Sequence, residues 1–196
     1  MNRTTVLLKR QVFTERNAGQ EVLKVLFLYP QRDFTLTELA SLAGVAKSTV
    51  NRVLASFLKK ELVRVELIAG GRLCRIRANS GNPFMRREKL LFNLSSVYRS
   101  GLVEKLESTY RHPRSITLFG SFRRGEDVEG SDIDIAVELT EDVELKSVRL
   151  TEFRPLEREM CRPIVIHVFN RRKVNRDLFN SIANGIVLSG FLEVGP

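Results

Sequence analysis

The chain of 196 residues has no tryptophan, two cysteines, two histidines and six prolines, and each scarcity excludes something. Cys74 and Cys161 are too few and too far apart for a disulfide framework or a zinc site, and both stand among apolar neighbours. No stretch approaches the ~20 apolar residues of a membrane span, and the first residues lack the long apolar core of a signal peptide. No internal repeat or low-complexity tract is visible. The expected setting is a reducing cytoplasm, with no membrane. With 43% hydrophobic and 28% charged residues, the composition is that of a globular protein, long enough for one large core or two small ones.

What is present is charge, unevenly placed. Residues 1–83 hold 14 Lys+Arg against 6 Asp+Glu, and residues 84–114 hold 7 against 3. Residues 115–196 reverse the balance with 11 against 14, so the formal net of +9 belongs to the front of the chain. General solubility does not require that asymmetry. A basic module joined to a weakly acidic one points to a polyanionic partner for the first and separate chemistry for the second.

The front reads as helices followed by a hairpin. Val22, Val25, Leu26 and Tyr29 recur at helical spacing over residues 17–29, ended by Pro30. Thr35 with Glu38 three residues on predicts a capping box, and Gly44 a helix stop. A third helix follows, with Val50, Val53, Leu54, Phe57 and Leu58 as its inner stripe. Alternation through Val63, Val65 and Leu67 breaks at Gly70-Gly71 and resumes over 73–76, a hairpin signal. Helix, helix-turn-helix and hairpin in this order resemble the winged helix-turn-helix DNA-binding family over residues 17–79. Val45-Ala46-Lys47-Ser48-Thr49-Val50 looks like the entry to its recognition helix, with Ala46 where a serine cap is common. The resemblance implies double-stranded DNA as partner, a transcription regulator as function, and a homodimer as a form such proteins take. With the apolar stripe inward, Lys47, Ser48, Asn51 and Arg52 face outward with Thr49 beside them, side chains suited to base edges and phosphates. Arg72 at the hairpin tip would reach a flanking phosphate or the minor groove, and Lys59, Lys60, Arg75 and Arg77 extend the field. Winged helices also serve RNA and protein contacts, and the sequence leaves those uses open.

Asn79-Ser80-Gly81-Asn82-Pro83 has turn composition. Beyond it, Leu90, Leu91, Leu94, Val97, Leu102 and Leu106 predict one long helix or two consecutive ones to about Arg111. Further helices are expected over 151–161 and 171–184, with a short terminal hairpin over 186–194 about Gly190.

The most informative segment is 119–135. An apolar strand, Ser115 to Phe119, runs into Gly120-Ser121, crosses a polar stretch, and meets Asp132-Ile133-Asp134 at the start of a second apolar run. Glycine lets the backbone turn and approach a ligand closely, and Ser121 adds a hydroxyl where helix N-terminal amides hold phosphate. Alternation places Asp132 and Asp134 on one strand face about 7 Å apart, a pairing suited to a hard divalent cation. Gly120-Ser121, ten residues, Asp132-Ile133-Asp134 resembles the signature of the DNA polymerase β-type nucleotidyltransferase superfamily in its minimal form, over roughly residues 113–194. By that resemblance Gly120 and Ser121 hold a nucleoside triphosphate, ATP foremost, and Asp132 and Asp134 are catalytic residues that ligate Mg²⁺. The acceptor is open, a protein side chain among the candidates.

One position departs from the family. Its third acidic residue, on a later strand, aligns with His167 in Pro163-Ile164-Val165-Ile166-His167-Val168-Phe169, and alternation turns Val165, His167 and Phe169 toward the aspartates. His167 is either a packed histidine or a base or ligand in place of the carboxylate, with Glu138 and Glu141 as nearby acids. Two functions follow, an Mg²⁺-dependent nucleotidyl transfer or nucleotide sensing without transfer. The expected fold is α/β (α+β) in two domains. Residues 1–83 form a winged helix-turn-helix, 84–112 a helical linker, and 113–196 a small mixed sheet with helices.

Overall fold

The structure, a computed structural model, describes residues 17–68 and 73–194. Helix α1 (Ala18–Leu28) is capped by Asn17, whose side chain accepts from the Gly19 amide. Helix α2 (Leu36–Ala43) opens on the predicted capping box. Thr35 Oγ1 accepts from the Glu38 amide at 3.2 Å, and the Glu38 carboxylate accepts from the Thr35 amide at 2.8 Å. It stops at Gly44, whose φ of 65° is the left-handed form glycine adopts without strain. Helix α3 (Lys47–Lys59) follows, then the antiparallel pair β1 (Val63–Ile68) and β2 (Leu73–Ala78). Val22, Leu26, Leu39, Val50 and Ile76 close one core among them. Leu58 departs from the expected inner stripe and is exposed. At 100° per residue it lies about 80° around α3 from Val50, outside the arc that Val50, Leu54 and Phe57 bury.

Helix α4 (Pro83–Arg99) begins where Asn82 caps the Phe84 amide at 2.8 Å with Pro83 in the first turn, the position where a missing N–H costs nothing. It serves two cores: Met85 packs into the first, and Val97 into the second. Helix α5 (Leu102–Thr109) follows after Gly101. The rest is β3 (Ser115–Phe119), α6 (Gly120–Arg124), β4 (Ile133–Glu138), β5 (Lys146–Val148), α7 (Arg154–Met160), β6 (Ile164–Phe169), α8 (Arg176–Ala183) and β7 (Ile186–Gly190).

The sheet order is β5-β6-β4-β3-β7, with β4 and β6 parallel and the other pairs antiparallel. Its inner face carries Ile116, Leu118, Ile133, Ile135, Ile164 and Ile166 against α4 to α7. On the outer face Phe119, Ala136 and Phe169 are covered by Ile182 of α8, which leaves the neighbouring ends of β4 and β6 open.

Beyond Leu58, four further expectations differ in detail. No terminal hairpin forms about Gly190, because β7 pairs with the free edge of β3 and the Phe191 amide bonds the Arg114 carbonyl. The helix predicted over 171–184 is only α8, because the Asn170 side chain holds the preceding loop through Glu141 O and the Arg172 amide, and Asn175 caps the helix start. The helix over 151–161 begins as a 3-10 turn over Thr151–Phe153. Cys161 is exposed rather than packed, ending α7 at φ 53°.

A buried ionic cluster ties the two cores together. Arg162, just before β6, donates from Nε to Asp127 Oδ2 at 3.1 Å and from Nη2 to the Leu28 carbonyl at the end of α1 at 2.9 Å. Asn93 and Lys89 of α4 complete the shell of Asp127, at 2.8 Å and 3.2 Å from its Oδ1. Burial pushes the Lys89 ammonium below the usual lysine range, with Asp127 pulling the other way. Asp127 thereby fixes the loop between Gly120 and the aspartates.

Candidate functional site

β3 delivers its last residue, Phe119, beside Asp134 of β4, and the chain turns at once into α6. Gly120 makes that turn with φ 74°, and its bare Cα faces the Asp134 carboxylate. A Cβ there would overlap Oδ2 and stand 3.2 Å from Cγ, so only glycine lets loop and carboxylate meet. Ser121 lies in the first turn of α6, half-buried. Asp132 precedes β4 by one residue and shares the open face with Asp134.

His167 is on the same face. Its Nε2 lies 3.2 Å from Asp134 Oδ1, and its ring meets Phe119 edge-on at 5.1 Å between centroids. Its Nδ1 lies 2.9 Å from the Ser147 hydroxyl of β5. Two residues further on, Arg149 donates to Asp132 Oδ1 at 2.8 Å. Two side-chain rows therefore cross the face: Arg149 to Asp132, and Ser147 through His167 to Asp134. Ser147 and Arg149 escape sequence reading because β5 is three residues long, too short for alternation to register.

Neither alternative acid joins this site. Glu138 is buried at the far end of β4, accepting from Arg171 Nε at 2.6 Å and bonded to Ser115. Glu141 lies beyond the strand, exposed. Among the described residues no three His, Cys, Asp or Glu side chains gather around one point. Asp132 and Asp134 remain a pair, the number of protein carboxylates Mg²⁺ takes when phosphate oxygens and water supply the rest. In that sense the residues fit the ion. The Arg149 to Asp132 bridge is exposed on both sides, a contact of at most about 1 kcal/mol that an incoming cation can displace.

Beside Gly120 opens a cleft of about 400 Å³ lined by Phe119, Arg123, Arg124, Asn180, Ser181 and Asn184. No carboxylate lines it, and Arg123 Nε is buried without a hydrogen-bond partner. A larger hollow of about 490 Å³ lies between α1, α4 and α7, away from the aspartates.

The other candidate surface is α3. Lys47, Ser48, Asn51 and Arg52 are exposed and Thr49 is half-buried, while Val50 and Leu54 anchor the opposite side. Ala46 gives α3 no side-chain cap, so the first-turn amides have no partner from that residue. Lys59, Lys60 and Arg75 are exposed, and Arg77 is held bidentately by Asp33 at 2.8 Å. Arg72 lies outside the described residues.

Set against known families, residues 99–184 match the Nucleotidyltransferase domain and residues 21–66 match the IclR helix-turn-helix domain. The chain joins a helix-turn-helix domain to a nucleotidyltransferase domain. The helix-turn-helix match runs from within α1 into β1 and includes all of α3. The nucleotidyltransferase match opens at the last residue of α4 and closes just after α8, so Gly120, both aspartates and His167 lie inside it. No curated protein and no solved structure matches the chain. Among the described residues no helix is long and apolar enough to cross a membrane.

Proposed function

We propose that the nucleotidyltransferase domain binds a nucleoside triphosphate, ATP foremost, and transfers its nucleotidyl group to an acceptor hydroxyl, while the helix-turn-helix domain holds the protein on duplex DNA as a transcription regulator. The observation that carries the reading is the meeting of Gly120, Asp134 and His167 at one point on an open sheet face. Asp132 and Asp134 would hold Mg²⁺, which when bound supplies positive charge to the triphosphate. Gly120 brings the backbone close to the phosphates, and Ser121 adds a hydroxyl donor. Arg123 and the amides of Asn180 and Asn184 give the adjoining cleft the donors a nucleotide needs. His167 stands where the family has a third carboxylate and takes the acceptor's proton. Lys47, Ser48, Asn51 and Arg52 present the donors of a major-groove helix, and two copies of the chain would read two half-sites.

The test incubates the protein with Mg²⁺ and each α-labelled nucleoside triphosphate in cell extract, beside an Asp132→Asn, Asp134→Asn double variant. Label on an acceptor with the wild type alone supports transfer, and equal labelling by the variant removes the site assignment. A second reading is favoured by Arg149 on Asp132 and by the missing third acid. In it the same pocket senses nucleotide without transfer and biases DNA affinity. Nucleotide-dependent DNA binding with no label anywhere would select that reading, since coupling requires different affinities in the two states.

A further inference from the structure

The acceptor in that scheme has a candidate within the chain. We propose that Ser147 is a self-acceptor: the nucleotidyltransferase domain modifies its own β5 edge at this hydroxyl. The inference rests on the reading that a nucleoside triphosphate binds at Gly120 and the aspartates.

The geometry is that of an activated nucleophile, with a hydroxyl within hydrogen-bond reach of a base and the base oriented by a third group. Ser147 Oγ is 2.9 Å from His167 Nδ1, and His167 Nε2 is 3.2 Å from Asp134 Oδ1. An ionised carboxylate only accepts hydrogen bonds, so the nitrogen facing Asp134 is the one that carries hydrogen. With hydrogen on Nε2, Nδ1 offers its lone pair to the Ser147 hydroxyl 2.9 Å away. Register explains why these groups align. Ser147 pairs with His167 across β5 and β6, and His167 with Ala136 across β6 and β4, two residues from Asp134 on the same face. One imidazole ring therefore separates the hydroxyl from the carboxylate proposed to sit at the donor's phosphates.

Other hydroxyls near the site are placed differently. Ser131 accepts from the Val128 amide, Thr117 is buried within β3, and Ser121 belongs to the phosphate loop. Ser147 is exposed, on a short edge strand where a bulky product has room. In the step, the Ser147 proton passes to His167 Nδ1 and Oγ forms a bond to the α-phosphorus. The bond from that phosphorus to the oxygen bridging the β-phosphate breaks, and pyrophosphate leaves with the electron pair. Nothing is oxidised or reduced. The product is a phosphodiester joining Ser147 to a nucleoside.

The experiment incubates the full chain with Mg²⁺ and ATP, follows intact mass, and maps the modified peptide, while nucleotide binding is titrated separately. The expected result is one nucleotidyl group per chain on Ser147, gained at a rate constant independent of protein concentration. Ser147→Ala should lose the modification while binding ATP and melting as the wild type does, and Ser147→Thr should regain part of it. His167→Gln should slow the modification by about 10²–10⁴-fold, the usual contribution of a positioned base. ATP binding without modification at Ser147, or modification elsewhere, overturns this proposal and leaves transfer to another acceptor standing. Absence of ATP binding overturns the reading beneath it and the proposal together.

Discussion

Two arginine–aspartate pairs flank the same loop, and they behave as opposites. Arg162 and Asp127 are each about 2% exposed and have Lys89 and Asn93 around them. Arg149 and Asp132, five residues further along the loop, are 58% and 36% exposed. The first pair has left water, so its charges depend on each other and on the Leu28 carbonyl. The second is still solvated and can exchange partners at little cost. The loop is therefore pinned at Asp127, through Arg162 to Leu28 and through α4, and held at Asp132 by a solvated contact. Rigidity belongs to the joint and adaptability to the site.

The sharpest way to break this contrast is Arg162→Met. It leaves Asp127 with only Lys89 and Asn93 and the Leu28 carbonyl without its donor, and should cost about 3–5 kcal/mol, read from urea unfolding. A loss under 1 kcal/mol would mean that the joint is as dispensable as a surface bridge. Lys89→Met comes next, at about 1–3 kcal/mol, because Arg162 and Asn93 still serve Asp127. Lys89 also sets a direction with pH. Its folded-state pKa is depressed by burial, so as pH rises through that value toward the unfolded value the unfolded chain retains a proton the folded chain has released. Wild-type stability should rise with pH across that window relative to Lys89→Met, and a flat difference would show that Lys89 titrates as a solvated lysine. Arg149→Ala is the smallest change, within about 1 kcal/mol in stability. It should tighten Mg²⁺-dependent ATP binding, since Asp132 no longer has a competing cation, and weaker binding would place Arg149 among the phosphate contacts instead.

Local signals were legible in the sequence and distant ones were not. The capping box of Thr35 and Glu38, the stop at Gly44 and the 14-residue spacing from Gly120 to Asp134 are short-range patterns. His167 could be turned toward the aspartates because alternation is a rule of one strand. The Arg162 cluster could not be read, since a charged side chain looks alike in sequence whether it ends in solvent or 35 residues away on Asp127. Gly190 looked like a hairpin turn because its partner in β3, Ser115, lies 75 residues upstream. Ser147 and Arg149 were invisible for want of strand length. Leu58 was misassigned by a single step of helical rotation.

The contact between Gly120 and Asp134 has a consequence for how such a domain can change over generations. With no room for a β-carbon between them, a side chain at position 120 would have to expel the carboxylate, and the backbone at φ 74° would resist it as well. The constraint runs one way: position 120 is bound to glycine while the carboxylate is in place, whereas a smaller side chain at position 134 leaves Gly120 undisturbed. The carboxylate can therefore be lost first with the glycine kept, but not the glycine first with the carboxylate kept in place. This chain keeps both Gly120 and Asp134.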